Sequence, residues 1–396
     1  MVKHREMSVM KLLFILLLLS QYGFFMLIPS AKITRGLVYS PWIGLIIVLI
    51  MLSLISYTKI KDFGVLIVLF LAINVISFIW IIVQYKGVDS TAYTALGYAI
   101  SSLLYFPIMK FKEKNDVYYL IALVNLIAVI IILLQVVFYN KTGQLIIQSI
   151  DVQKLEIRHG LRITYYDFII MISFFTSITR LFGKHKYLYR INSILSLIYI
   201  IYVSQTRYWE VLMIAFFAVV GVSAVIADSK RKKIHLIYIF IAPVVILGLV
   251  ITARSLFSSL IAPLLDGSYK GNGSYFARMG EIDFYTDVIK LHPFFGTGNL
   301  TSKNTSPLWF TLHGPQGIFY TQDIGLYGDI ARLGLGILVI FILTLKKLLS
   351  KKFLNITNLG LIIMIVGSIG SISIFTNGFL VGLIFALLFE NKELEG

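Results

Sequence analysis

Apolar runs of about 20 residues recur along almost the whole chain, and each is long enough to cross the hydrocarbon core of a bilayer as a helix. Of the 396 residues, 58% are hydrophobic and 14% are charged, whereas a soluble domain carries about 25% charged residues. This composition excludes an ordinary soluble protein. We expect about twelve transmembrane helices, near residues 11–29, 41–57, 64–83, 92–109, 117–138, 165–183, 191–206, 208–227, 234–253, 324–345, 354–375 and 379–390. The predicted fold is an all-α polytopic membrane protein with a single domain over residues 1–396.

The distribution of Lys and Arg predicts how this domain is oriented. The formal net charge is +16, which in a polytopic protein is better explained by basic cytoplasmic connectors than by nucleic-acid binding. With the N-terminus inside, every connector assigned to the inside carries Lys or Arg, and both termini are cytoplasmic. The N-terminal apolar run lacks a small-residue cleavage site, so we expect an uncleaved first helix. The long connectors 139–164 and 254–323 then lie outside.

The connector 254–323 is the longest segment between apolar runs, and long loops in compact proteins are usually functional or disordered. It is rich in Tyr, Phe and Leu, which argues against disorder. Apolar residues within 282–291 recur at helical spacing, so we expect a short amphipathic helix there. The loop is predicted to cover a site at the outer face.

Several kinds of chemistry lack the residues that they need. The chain has no Cys, which excludes disulfides and thiolate metal sites. It has no HExxH motif, no Walker motif and no DxD carboxylate pair. The GNG and GTG triplets do not lie between a strand and a helix, as a phosphate-binding loop would. We therefore expect an activity that needs neither a metal ion nor a cofactor.

Arginines flank the predicted outer face in three places. Arg207 opens a span beside Tyr208 and Trp209 and suits an interfacial anchor or a ligand-binding group equally well. Arg158 and Arg162 precede the sixth span, where anchoring is the simpler interpretation. The third place is the large loop, which carries Arg278. Because the guanidinium group binds phosphate in a bidentate manner, arginines that converge at the membrane surface would suit a lipid pyrophosphate.

Arg278 lies in the large loop, three residues before Glu281. A salt bridge between these two side chains is the simplest interpretation, and an exposed salt bridge contributes little stability. Arg278 becomes a candidate for phosphate binding because it adds a third outer cluster to those around Arg207 and Arg162.

Two histidines and two aspartates complete the candidates. His292 precedes a proline and indicates a structural turn, whereas His313 is freer and could titrate near neutral pH. Asp323 opens the tenth span, either as a helix N-cap or as a general base. Asp329 and Arg332 lie deeper in that span, and their spacing predicts that they neutralise one another.

Three segments together resemble a known family. They are SQTRYWEVLMIAF at the start of a span, HPFFGTGNL at the end of the large loop, and LGLG within the tenth span. They resemble the O-antigen polymerase/ligase superfamily of bacterial envelope glycosyltransferases, whose large periplasmic loop carries a similar block. The resemblance extends roughly over residues 158–345 and implies a fold similar to the GT-C class of membrane glycosyltransferases. The ligase branch has a His where this chain has Asp323, which favours the polymerase branch.

The resemblance implies a substrate and a mechanism. The donor would be an oligosaccharide repeat unit on undecaprenyl pyrophosphate, and the product a bacterial surface polysaccharide such as an O-antigen, capsule or exopolysaccharide. Arg207 and Arg278 would bind the pyrophosphate, with Arg158 or Arg162 in support, and Asp323 or His313 would be the base. The protein would lie in the bacterial cytoplasmic membrane, with a flippase and a chain-length regulator of the same pathway as partners and no nucleic acid.

Two alternatives stay open beside the polymerase. A ligase-type transferase would use the same donor. A polysaccharide flippase or transporter would have internal symmetry and charged residues in broken helices near the bilayer midplane, and the sequence has no evident repeat. A membrane scaffold would leave the distribution of arginines unexplained.

Overall fold

The computed structural model describes residues 2–26, 43–55, 63–86, 90–111, 114–147, 156–157, 160–164, 166–182, 184–231, 273–300 and 308–388. The predicted span 234–253, the first part of the large loop and Arg158 lie outside these residues. Within them the chain is almost entirely helical, and the strands are β1 (Glu156–Ile157) and β2 (Leu161–Arg162), paired antiparallel.

The helices follow one another with short breaks. They are α1 (Val2–Gln21), α2 (Gly23–Met26), α3 (Ile43–Ser53), α4 (Gly64–Tyr85), α5 (Ser90–Ile100), α6 (Tyr105–Ile108), α7 (Lys114–Thr142), α8 (Asp167–Ile178), α9 (Lys186–Ile198), α10 (Arg207–Arg231), α11 (Gly273–Leu291), α12 (Leu308–His313), α13 (Gly325–Leu333), α14 (Leu335–Leu348), α15 (Ile356–Gly367) and α16 (Gly378–Leu387). Single 3-10 turns occupy Ser101–Leu104, Thr321–Ile324 and Ile374–Thr376, and a π-helical turn occupies Tyr199–Ser204.

The described part is that of an all-α membrane protein, but the expected twelve spans are not found. Among the described residues, three helices are long and apolar enough to cross a membrane, namely Gly64–Tyr85, Lys114–Thr142 and Lys186–Ser204. Six further apolar helices are shorter, with 10–17 residues. Among the described residues, hydropathy overcounted because it does not detect where a helix ends: the predicted span 354–375 contains α15, which ends at Gly367 after 12 residues.

The predicted span 324–345 is broken at Gly334, between α13 and α14. Gly334 has φ +73° and ψ −172°, a conformation that is essentially restricted to glycine. A Cβ there would lie 2.0 Å from the carbonyl oxygen of Phe294. The Leu335 amide donates to the Pro293 carbonyl at 2.8 Å. The break therefore lets the end of the large loop pack directly against the helix backbone.

Helix α16 shows why an apolar helix is not always a lipid-facing span. All ten of its residues are buried, and its glycines pack on the backbone at the end of α5 and in the 3-10 turn after it. A Cβ at Gly378 would lie 2.1 Å from the Tyr98 carbonyl oxygen, and one at Gly382 would lie 2.5 Å from that of Ser102. Small residues allow this close approach of backbones, so α16 is part of the protein core.

A buried hydrogen-bonded network joins α7, α8 and α9, which pack against one another. Asn125 donates to Asn192 at 2.6 Å and to Ser196 at 3.0 Å, and Asn192 donates to Ser173 and Ser177, each at 2.9 Å. Polar side chains bonded in this way contribute to helix association inside membranes. They hold the centre of the bundle together.

Candidate functional site

The site is built around one face of α11. Arg278, Glu281 and Tyr285 are three and four residues apart in sequence, so they lie on one side of the helix. The sequence predicted a helix only for 282–291, whereas α11 begins at Gly273. α11 packs on α13 and on the 3-10 turn that precedes it. This packing brings Arg278 and Glu281 near Asp323.

This face is covered by a helical hairpin, which consists of α12 and of residues 314–320 after it. The Tyr285 hydroxyl donates to the carbonyls of Leu312 at 2.9 Å and Phe319 at 3.3 Å. The Trp309 indole donates to the carbonyl of Gly317 at 3.2 Å, where φ is +70°. These bonds hold α12 and the residues after it to α11 and to each other. The hairpin is therefore an ordered cover over the site.

Glu281 and Asp323 differ in their surroundings. The Glu281 side chain is 1% exposed; its Oε1 accepts from the Tyr320 amide at 3.1 Å, and its Oε2 has no hydrogen-bond partner among the described residues. Burial raises the pKa of Glu281, an effect that Asp323 adds to and that the Tyr320 amide and Arg278 reduce. Asp323 keeps contact with solvent. Partial desolvation raises its pKa, and Arg278 opposes that rise.

Arg278 is exposed, and the described residues include no ion pair to it. The salt bridge with Glu281 that the sequence suggested is therefore not formed. The N-cap position of α13 is Ile324, and no side chain caps it. Asp323 does not act as that cap. Arg278 and Asp323 therefore do not have the structural roles that the sequence first suggested for them.

His313 is 9% exposed and packs between aromatic rings. Its ring centroid lies 3.8 Å from that of Trp309 and 4.9 Å from that of Tyr320. Its Nδ1 lies 2.7 Å from the carbonyl oxygen of Phe319, and since a carbonyl only accepts, Nδ1 carries the hydrogen. Burial lowers the pKa of His313. The ring is thus kept neutral, and its Nε2 retains a lone pair.

The HPFFGTG segment holds α11 against the break between α13 and α14. The Thr297 amide donates to the Ala331 carbonyl at 2.9 Å, and a Cβ at Gly296, with φ +57°, would lie 2.1 Å from that same oxygen. The ring of Phe295 stacks on Trp80 of α4 at 4.9 Å, and His292 meets Trp80 edge-on at 5.7 Å. The segment has a structural role, and so does His292, as the sequence predicted.

Asp329 and Arg332 form the expected internal pair. Asp329 Oδ1 lies 3.2 Å from Arg332 Nη2, and the two side chains are 1% and 8% exposed. Removing one partner of such a pair would leave an uncompensated buried charge. The pair therefore belongs to the core of α13 and its neighbours.

Arg162 belongs to a second cluster, at the start of α10. Its Nε donates to the Ser204 carbonyl at 2.6 Å, and its Nη2 donates to the Thr206 hydroxyl at 3.1 Å. Arg207 is the first residue of α10 and is exposed. None of the contacts between described residues joins Arg162 or Arg207 to Arg278. The structure thus places Arg278 near Asp323, with His313 in the hairpin that packs on the same helix, and leaves the other two arginines in a separate cluster.

The second cluster is organised by a residue that the sequence did not single out, Asp167. Its side chain is 5% exposed and accepts from Tyr199 at 2.7 Å, Ser204 at 2.6 Å, Thr206 at 3.1 Å and Trp209 at 3.0 Å. These four contacts tie the start of α8 to the π-helical turn and to the start of α10. Its place at the start of a predicted span was the available signal.

Glu281 was also missed as a functional residue, because its spacing from Arg278 suggested a salt bridge.

No group of three or more His, Asp or Glu lies together in the part of the chain that the structure describes. Comparison with family models, with curated proteins and with solved structures gives no match. The family resemblance therefore rests on the segments quoted above.

Proposed function

We propose that this protein is a membrane glycosyltransferase that polymerises lipid-linked oligosaccharide repeat units, with undecaprenyl pyrophosphate as the leaving group. The observation that carries the proposal is the proximity of Arg278 to Asp323, next to the hairpin that contains His313. Arg278 has a guanidinium group without an ion-pair partner among the described residues, and Asp323 is a solvent-contacting carboxylate beside it. An anion-binding group next to a base suits glycosyl transfer from a pyrophosphate.

The proposed reaction is a direct displacement. The acceptor hydroxyl oxygen attacks the anomeric carbon of the donor, and the bond to the pyrophosphate oxygen breaks with its electron pair. Arg278 stabilises the charge that develops on that oxygen, which is where preorganised donors contribute most. Asp323 takes the proton of the hydroxyl, a contribution of about 10²–10⁴-fold for a positioned base. No metal ion is needed in this scheme.

Four further side chains have supporting roles in the proposal. The neutral ring of His313, which stacks on Trp309, holds the shape of the hairpin and is the second candidate for the base. The exposed Tyr320 and Phe310 offer ring faces on which sugars of the glycan can stack. Arg207, at the separate cluster, would contact the second phosphate only if the donor lipid extends between the two clusters.

The test uses purified protein reconstituted with lipid-linked repeat units. We expect Arg278→Ala and Asp323→Asn each to abolish elongation while the protein inserts and folds normally. Asp287→Asn and Lys290→Ala are matched controls, because they remove charges from the same helix in a pair whose side chains are 72% and 70% exposed. Those controls should elongate like the wild type.

The products also separate the polymerase from its sister branch. A polymerase gives a ladder of lipid-linked chains from repeat units alone, whereas a ligase gives one transfer and needs a different acceptor. Full elongation by both Arg278→Ala and Asp323→Asn would remove this site from the reaction and overturn the proposal.

A further inference from the structure

Glu281 is a buried carboxyl group that the mechanism above does not use. One backbone amide donates to its Oε1, and its Oε2 has no hydrogen-bond partner in the part of the chain that the structure describes. A buried charge without hydrogen bonds is far more costly than a buried neutral group. The orphan oxygen therefore favours the protonated form of this side chain.

The groups around Glu281 decide where a single shared proton lies. The charged and titratable side chains that face it are Arg278 and Tyr285 of α11, Tyr320 and Asp323 of the adjoining turn, and Arg332 of α13 through Tyr285. Of these groups, Asp323 carries the second carboxyl group. Asp323 is the remaining acid, and it has both solvent and Arg278 to stabilise its charge. When the two carboxyl groups carry one proton between them, that proton is on Glu281.

We propose that Glu281 is the proton-holding partner of Asp323, so that in the active state Glu281 is a neutral acid and Asp323 is the carboxylate that accepts the proton of the sugar hydroxyl. This inference rests on the proposed function and assigns the roles within its site. Carboxyl groups whose surroundings differ divide acid and base roles in this way. Glu281 is a positioning residue, since its Oε1 also fixes the Tyr320 amide next to Asp323.

The charge balance explains why the site needs this arrangement. With Glu281 protonated, Arg278 and Asp323 neutralise each other and an incoming pyrophosphate meets no net negative charge. With Glu281 ionised, the site carries one excess negative charge and repels the same anion. A bound pyrophosphate in turn favours the protonated form of Glu281. Substrate binding and the proton on Glu281 are therefore coupled.

Glu281→Gln tests the inference, because glutamine mimics the neutral acid and can still accept from the Tyr320 amide. We expect this variant to elongate within about tenfold of the wild type, the value of one neutral hydrogen bond, whereas Asp323→Asn loses at least about 100-fold. Wild-type activity should fall as the pH rises through the raised pKa of Glu281, and that fall should be absent in Glu281→Gln. Asp287→Asn is the control for loss of a carboxylate from α11 and should keep the wild-type profile.

Binding of farnesyl pyrophosphate in detergent gives a second readout that does not depend on turnover. Its affinity for the wild type should weaken with rising pH by up to about tenfold per unit, the limit for one linked proton, and its affinity for Glu281→Gln should not. A folded Glu281→Gln protein as inactive as Asp323→Asn would make Glu281 the base and overturn the inference. So would a pH dependence of probe binding that Glu281→Gln leaves unchanged. A wild-type protein that does not elongate would overturn the proposed function instead, and the probe would still test the pair.

Discussion

Replacing Gly334 with alanine should loosen the site without touching any of its functional groups. The new Cβ would lie 2.0 Å from the Phe294 oxygen, 2.2 Å from its carbonyl carbon and 2.6 Å from the Phe295 nitrogen. All three are backbone atoms, so no side-chain rotation can relieve the clash. We expect a cost of about 1–3 kcal/mol from the disfavoured backbone conformation and about 1–3 kcal/mol from overpacking.

Gly143 is a matched control for this variant. It has φ +70°, but no atom lies within 4 Å of the position that its Cβ would take. Gly143→Ala therefore adds the backbone strain, about 1–2 kcal/mol for a left-handed residue, without the steric contact. Both variants would be unfolded with SDS in mixed micelles, and elongation would be measured in parallel. We expect Gly334→Ala to be less stable than Gly143→Ala by at least about 1 kcal/mol and to lose elongation, while Gly143→Ala elongates normally. Equal stability of the two variants would refute the argument that the HPFFGTG segment is clamped to this break.

Further predictions concern other parts of the molecule. Asp167→Asn should destabilise the protein by about 1–3 kcal/mol in the same SDS titration, because an amide cannot accept from all four donors; an unchanged midpoint would contradict this. Burial lowers the pKa of His313, so the unfolded chain binds a proton at this side chain at a higher pH than the folded chain does. Stability should therefore decline as the pH falls below about 6.5. His313→Gln should reduce that decline, and a pH–stability profile identical to that of the wild type would rule out His313 as its source. Elongation should persist in chelator, and activity that returns only with added magnesium would contradict the metal-independent scheme. Reporter fusions after Lys233 and near Gly273 should report opposite sides of the membrane, and the same side for both would refute the orientation derived from the basic connectors.

The sequence by itself determined the class of fold. Apolar runs and a low charged fraction are local properties, and they correctly indicated an all-α membrane protein. The internal pair of Asp329 and Arg332 was also predicted, because its partners are one helical turn apart. So was the helix in the large loop, although α11 begins nine residues before the predicted start, since the periodic signal is weak where Gly and Ser open the helix.

Tertiary structure decided the rest. Hydropathy cannot tell whether an apolar helix faces lipid or protein, so α16 was predicted to be a span although all of it is buried. The break at Gly334 depends on a backbone contact with Phe294, a residue that is distant from it in sequence. The candidate site shows the same limit. Arg278 and Glu281 have an ordinary salt-bridge spacing in the sequence. Only the packing of α11 against the turn before α13 leaves Glu281 with an unpaired buried oxygen and sets Arg278 beside Asp323, because burial and charge neighbours arise from segments that the chain brings together when it folds.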